Sequence, residues 1–113
     1  MADEDPPQAL ADLTFHILLA LGEGPSHGYA IGKDVEDQSG GRLDPTTGAL
    51  YQVLRRLTDD GLVTPVSGPD DVDSRRKYFA LTRAGRRAAA QEAERLAALV
   101  RAARQRKLYP QRA

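Results

Sequence analysis

The sequence predicts a mainly helical α+β fold. Three segments with apolar residues at helical spacing come first, and two short segments of strand character follow them. A long segment rich in alanine and arginine comes last. Three helices followed by a β-hairpin is the element order of a winged helix-turn-helix domain. The last segment predicts a long C-terminal dimerisation helix after that domain.

A chain of 113 residues has the usual size of one domain with an appendage. We expect a disordered tail at 1–8, a winged helix-turn-helix domain at 9–82, a C-terminal dimerisation helix at 83–108 and a flexible tail at 109–113. Cysteine is absent, which excludes disulfides, thiolate zinc sites and cysteine nucleophiles. The acidic, proline-rich start and the lack of an apolar run of about 18 residues predict a cytoplasmic protein without membrane contact.

The formal net charge is +0, but the charges are unevenly distributed along the chain. Residues 1–73 hold 4 basic and 14 acidic side chains, whereas residues 74–113 hold 12 basic and 2 acidic ones. This asymmetry indicates one surface that attracts a polyanion and another that repels it. Salt-pairing between the two halves is an alternative interpretation that the counts leave open.

The first helix is predicted to end near Gly22, because a breaker follows at 23–25. Its apolar stripe has three- and four-residue spacing and comprises Leu10, Leu13, Ile17, Leu18 and Leu21. The second helix is predicted from His27 to about Gln38, with Ser26 as its N-cap. Its core face would comprise Tyr29 or Ala30, Ile31 and Val35.

The third helix is predicted to begin at Asp44, a capping residue that is followed by Pro45 at the first helical position. It extends through Asp60, and Gly61 supplies a left-handed stop. Its inward stripe comprises Leu50, Val53 or Leu54, and Leu57. The second and third helices would form the helix-turn-helix pair.

Two strand-like segments at 62–66 and 76–81 would form a hairpin, the wing. Pro65 lacks a ladder donor, which predicts that the first strand lies at an edge of the sheet. The loop between the strands carries the acidic residues Asp70, Asp71 and Asp73. Because phosphates would repel these carboxylates, we expect the wing tip to be mobile or turned away from DNA.

The final helix is predicted to begin after Thr82, its N-cap, and Gly85 is a local weak point in it. If it ran to Leu108 it would be about 39 Å long, which is too long to lie on so small a domain. Its apolar positions form a heptad-like seam, which predicts a homodimer. The alternative is that this helix folds back on the first helix of its own subunit. The candidate dimerisation residues are Leu10, Leu13, Ile17, Ala89, Ala93, Leu96, Leu99, Val100 and Ala103.

The second helix of a helix-turn-helix pair presents its first turns to base edges and phosphates. Gly48 would permit close approach, and Gln52 and Arg55 suit adenine or guanine edges. Alternatively, the threonines cap the helix and Tyr51 packs beneath the wing. The candidates on the third helix are Thr46, Thr47, Gly48, Tyr51, Gln52 and Arg55.

Further candidates for DNA contact lie on the second helix and the wing. The start of the second helix, His27, Gly28 and Tyr29, offers N–H groups to a phosphate, and Lys33 follows one turn later. His27 is alternatively a simple cap or packing residue. At the base of the wing, the basic residues suited to the DNA backbone or minor groove are Arg75, Arg76 and Lys77.

Four segments resemble the PadR family of bacterial transcriptional regulators: HILLAL at 16–21, GPSHGY at 24–29, GALY at 48–51 and RRKYFALT at 75–82. The family's usual third-helix motif has Thr and Pro where this chain has Ala49 and Gln52. The resemblance implies a dimer formed through the terminal helix and the first helix. It also implies a small aromatic or cationic effector held near the dimer interface.

The expected function is that of a sequence-specific DNA-binding regulator, a repressor that binds double-stranded operator DNA as a homodimer on an inverted repeat. Release by a small-molecule effector is implied by the resemblance. The alternative is a winged-helix module that binds another protein. An enzyme is disfavoured because the chain has two distant histidines, no G-x-S-x-G motif and no P-loop. No cofactor and no metal site are expected.

Overall fold

The computed structural model describes residues 10–69 and 76–110. In chain order it contains α1 (Asp12–Ala20), a 3-10 helix (Leu21–Glu23), β1 (Ser26–His27), α2 (Gly28–Gln38), α3 (Thr47–Asp59), β2 (Val63–Val66), β3 (Tyr78–Leu81) and α4 (Arg83–Gln105). This order confirms the predicted winged helix-turn-helix fold with a long terminal helix. The tail predicted at 1–8 and the wing tip at 70–75 lie outside the described residues.

The sheet has three antiparallel strands in the order β1-β3-β2. Pro65 lies on β2 and pairs with Phe79 on β3. As predicted, β2 is an edge strand of the sheet. The prediction of a two-stranded hairpin missed β1, whose residues Ser26 and His27 pair with β3. A strand of two residues is too short to show the alternation by which strands are predicted.

Two predicted N-caps are wrong by one or two residues. Ser26 lies in β1, and the cap of α2 is His27, whose Nδ1 accepts from the backbone N–H of Ala30 at 3.4 Å. The cap of α3 is Thr46, not Asp44, because the Thr46 hydroxyl accepts from the N–H of Ala49 at 3.1 Å. Both corrections shorten the helices at their starts.

The inward stripe of α3 is confirmed by burial. Leu50, Leu54 and Leu57 lie in the core, while Val53 is half-buried. At the end of the helix Gly61 has a φ of 77°, which is the left-handed conformation predicted for it. The rest of the core comes mainly from α1, the 3-10 helix and α2, namely Ile17, Leu18, Ala20, Leu21, Ile31 and Val35, with Val63 and Phe79 from the sheet.

The start of α4 is held by a joint around Thr82. The Thr82 hydroxyl accepts from the N–H of Gly85 at 3.0 Å and donates to the carbonyl of Gly61 at 2.7 Å. A Cβ at Gly85 would overlap the carbonyl oxygen of Leu62. The weak point predicted at Gly85 is therefore a position where the close approach of α4 to the end of α3 requires glycine.

The terminal helix is shorter than the sequence predicted. It has 23 residues and ends at Gln105, so its length is about 34 Å. Lys107 adopts a φ of 60°, and the N–H of Leu108 donates to the carbonyl of Ala103 at 2.8 Å. This left-handed turn closes the helix before Leu108.

Candidate nucleic-acid interface

One side of α3 faces away from the core and forms a continuous exposed surface. Gly48, Gln52, Arg55 and Asp59 are all exposed. At about 100° per residue they fall within an arc of roughly 60°, opposite the buried Leu50 and Leu57. We call these four residues the reading face. A Cβ at Gly48 would meet nothing within 4 Å, so the first turn of the helix is open to a partner.

A groove of about 760 Å³ separates α3 from the wing, and we call it the wing groove. Three cationic side chains line it from opposite walls, with Arg55 on α3 and Arg76 and Lys77 beside β3. Asp59 also lines it. The structure thus brings together candidates that are more than 20 residues apart in the sequence and surrounds one groove with positive charge.

A smaller groove of about 420 Å³ lies between α2 and α3, and we call it the helix groove. It is lined by five predicted site residues, namely Gly28, Tyr29, Lys33, Thr47 and Tyr51. Tyr29 is 78% exposed. Glu36 and Asp44 also line this groove, so it is less positive than the wing groove.

Tyr51 packs between the two grooves. Its ring meets Phe79 edge-on with centroids 6.2 Å apart, and it packs against the core as a half-buried side chain. A Cβ at Gly28 would overlap the Tyr51 hydroxyl and lie 2.8 Å from its Cζ. The alternative, packing beneath the wing, describes the position of the Tyr51 ring, and a direct contact of Tyr51 with DNA stays a prediction. Gly28 is buried under this ring, which explains why glycine begins α2.

His27 joins the start of α2 to the wing. Its ring meets Tyr78 edge-on at 5.2 Å, and its Nε2 lies 3.4 Å from Nη1 of Arg76. A neutral imidazole has one acceptor nitrogen, so the helix cap and the Arg76 contact belong to alternative tautomers. Partial burial, and then the positive charge of Arg76, lower the pKa of His27 below its usual value. The cap interpretation of His27 is thus the one that its contacts support.

The remaining DNA candidates differ in their placement. Thr46 is the cap of α3, as the alternative interpretation had it, whereas Thr47 is exposed at the first position of the helix. Arg75 lies outside the described residues, as do Asp70, Asp71 and Asp73 in the wing loop.

The candidate dimerisation residues fall into three groups. Ile17 is wholly buried in the core, so it is unavailable to a partner and its assignment is corrected. Three others, Leu10, Leu13 and Ala89, are half-buried and pack against the core of the same chain. Toward the end of α4 the seam is open to solvent, since Leu99 is 54% and Val100 is 40% exposed. Ala93 is also exposed, and Leu96 and Ala103 are half-buried.

An ion pair within α4, which the sequence analysis did not identify, lies beside the start of the described chain. Glu92 is buried and accepts from Nε of Arg95 at 3.0 Å and from Nη2 at 2.6 Å. These bonds lower the pKa of Glu92 against the opposing effect of burial, and the backbone N–H of Leu10 and the charge of Arg95 lower it further. Because α1 and α4 are in contact, the alternative of packing on the first helix describes the first half of α4.

In the part of the chain that the structure describes, no group of three or more His, Cys, Asp or Glu side chains could hold a metal ion. Among the same residues no helix has both the length and the apolar character needed to cross a membrane.

Comparison with known proteins gives a family match over most of the chain. The profile of the transcriptional regulator PadR-like family matches residues 17–91, from α1 into α4. A relative from Streptomyces fradiae, the uncharacterized 37.1 kDa protein in transposon TN4556, is 42% identical over 88 residues. The match covers 78% of this chain and 24% of that protein, so this chain spans about a quarter of the relative's length.

Several solved structures share the fold, among them two PadR proteins. A PadR family transcription regulator of Clostridium difficile matches with a TM-score of 0.71 and 20% identity, over 84% of this chain and 97% of that one. Bacillus subtilis PadR, solved in complex with operator DNA, matches with a TM-score of 0.61 and 24% identity. That match covers 76% of this chain and 47% of the other.

Proposed function

The chain belongs to the PadR-like family of transcriptional regulators, and on that premise we propose that it is a repressor that binds an inverted-repeat operator as a homodimer. The observation that carries the proposal is the reading face, which lies beside a groove lined by Arg55, Arg76 and Lys77. An exposed helix face next to a cationic groove suits the major groove and its flanking phosphates. Occupation of the operator would block transcription.

Each part of the interface has a distinct task in this proposal. The N-terminal part of the reading face enters the major groove, and the wing groove takes the adjacent phosphate strand beside Arg76 and Lys77. At the start of α2, the exposed Tyr29 and Lys33 lie beside a neighbouring phosphate in this arrangement. Bacillus subtilis PadR, which was solved in complex with operator DNA, shares this fold, and this supports DNA as the ligand.

Dimerisation would use the open part of the α4 seam. Leu99 and Val100 are exposed apolar side chains on a helix whose first half is already packed against α1. A second copy related by two-fold symmetry would cover them and would place two reading faces on half-sites about one helical turn apart. A small aromatic or cationic effector bound near this interface would alter that spacing and release the DNA.

A salt-dependent DNA titration tests the proposal. Operator affinity of the wild type should fall as salt rises, because each neutralised phosphate contributes a slope of about −0.9 in log affinity against log salt. The variant Arg76→Ala should reduce the magnitude of that slope by about one contact. The control is Arg87→Ala, which removes another exposed arginine, on α4, and should leave the slope unchanged.

The titration can also contradict the proposal. Affinity that hardly changes with salt would exclude phosphate neutralisation as the mode of binding. Binding to a protein partner that persists in Arg76→Ala, together with no DNA binding by the wild type, would favour the interaction-module alternative.

A further inference from the structure

We propose that Gln52 and Arg55 set the operator sequence, with Gln52 reading an adenine and Arg55 reading a guanine one or two base pairs away in each half-site. This inference rests on the proposed function, since it presumes that α3 lies in the major groove. It goes further by assigning one base to each of two side chains.

Gln52 and Arg55 lie close together on the outward side of α3. Both are exposed, and they lie within the arc of the reading face, opposite the buried Leu50 and Leu57. Three residues of helix separate them by about 4.5 Å along the axis. Successive bases of one strand are about 3.4 Å apart, so side chains at this spacing reach bases one or two steps apart.

The first turn of α3 is open to a partner at Gly48. Gly48 lies one turn before Gln52 on the same face, and a Cβ there would meet nothing within 4 Å. With no side chain at Gly48 the backbone of this turn can approach the floor of the groove. The next residue along the face, Gln52, is then the first side chain long enough to contact base edges.

The amide of Gln52 and the guanidinium of Arg55 differ in the hydrogen bonds that they can make with bases. A side-chain amide has a donor and an acceptor that match N7 and the N6 amino group of adenine. A guanidinium offers two donors, which match O6 and N7 of guanine. Gln52 and Arg55 are therefore complementary to different bases, and their order along α3 predicts the order of those bases.

Other exposed positions on α3 are less suited to this task. Thr47 and Arg56 lie to either side of the reading face, about 60° or more from its centre. Asp59 lies on the face, but its carboxylate offers no donor to adenine or guanine and is repelled by phosphates. The acidic end of α3, which also includes Asp60, therefore favours a tilt in which the N-terminal half enters the groove.

A phosphate contact is the competing role for Arg55, because Arg55 also lines the wing groove with Arg76 and Lys77. The two roles differ in their consequences. A phosphate contact contributes affinity for every sequence, whereas a base contact contributes affinity only where the matching base is present.

The test is a binding selection from randomised duplex DNA with four proteins: the wild type, Gln52→Ala, Arg55→Ala and the control Arg56→Ala. The wild type should enrich half-sites that contain an adenine and a guanine within two base pairs. Exchange of either base should lower its affinity about 5- to 150-fold. Gln52→Ala should lose preference at the adenine and keep the guanine, and Arg55→Ala should do the reverse. Arg56→Ala should enrich the wild-type sequence.

The outcomes separate the two proposals. If the wild type enriches no sequence, the proposed regulator function fails and this inference fails with it. If the wild type enriches a sequence that both variants also enrich, with affinity lowered equally for all sites, the proposed function stands and the base assignment is overturned. All three substitutions replace exposed side chains, and circular dichroism melting of each variant checks that it is folded.

Discussion

At the scale of the residue, the candidate nucleic-acid interface includes side chains that also pack inside the protein. Tyr51 borders both grooves, and it also packs on Phe79 and over Gly28. Its ring therefore fixes the distance between α2 and the wing. In the proposed complex, Tyr51 would act chiefly by holding the residues around it in place.

The titration of His27 should make the free energy of unfolding depend on pH. Because burial and Arg76 disfavour the imidazolium, the pKa of His27 in the folded protein is below its value of 6.5 in the unfolded chain. The stabilisation from the neutral ring is fully present above the unfolded pKa, and it is lost as the pH falls through the lowered folded pKa. The free energy of unfolding should thus fall below pH 6.5.

Chemical denaturation of the wild type and of His27→Asn, followed from pH 7.5 to pH 5, checks this prediction. Asparagine is a good N-cap without a titrating group in this range, so the variant should lose less stability on acidification. Parallel curves for the two proteins would show that His27 does not cause the effect.

At the scale of the element, the joint between α3, β2 and α4 determines how the wing and the terminal helix are oriented. Thr82 caps α4 and also donates to the carbonyl of Gly61 at the end of α3. The N–H of Thr82 donates to the carbonyl of Leu62 at 3.1 Å. Three elements thus share one set of hydrogen bonds, and Gly85 allows them to meet.

The substitution Gly85→Ala should destabilise this joint. Its methyl group would overlap the backbone carbonyl of Leu62, and such overpacking costs about 1–3 kcal/mol. Gly48→Ala is the control, since its methyl group meets nothing and alanine favours a helix by up to about 1 kcal/mol. Urea denaturation should therefore show opposite signs for the two variants. Equal stability of Gly85→Ala and the wild type would mean that the joint relaxes without cost.

At the scale of the whole molecule, α4 has two halves with different surroundings. Its first half packs against α1, and the buried Glu92 there pairs with Arg95 of the same helix. Its second half exposes Leu99 and Val100. Packing within the chain accounts for the first part of the helix, and the proposed dimer would use the exposed second part.

The proposed dimer predicts a difference between two neighbouring substitutions on α4. Leu99→Glu would place a carboxylate in the interface and should raise the dimer dissociation constant at least about tenfold. Ala98→Glu changes an exposed residue on the side of the helix opposite the seam and should leave the dimer intact. Sedimentation equilibrium measures both constants. A wild type that sediments as a monomer at micromolar concentration would contradict the dimer itself.

The sequence by itself predicted the fold class, the order of the helices and the inward stripe of α3. The reason is that apolar periodicity and turn residues act within a few neighbouring residues, as with Leu50, Leu54, Leu57 and Gly61. It also identified the exposed Gln52 and Arg55, because residues that alternate with a buried stripe must face outward.

Only the tertiary structure decided how distant residues meet. The contact between His27 and Arg76 joins residues 49 positions apart, and β1 exists because β3 lies beside it. The packing of Tyr51 on Gly28 and the burial of Ile17 likewise depend on which elements are neighbours in space. Local periodicity gives a helix its faces but does not specify what each face contacts, so these features could be assigned only from the assembled fold.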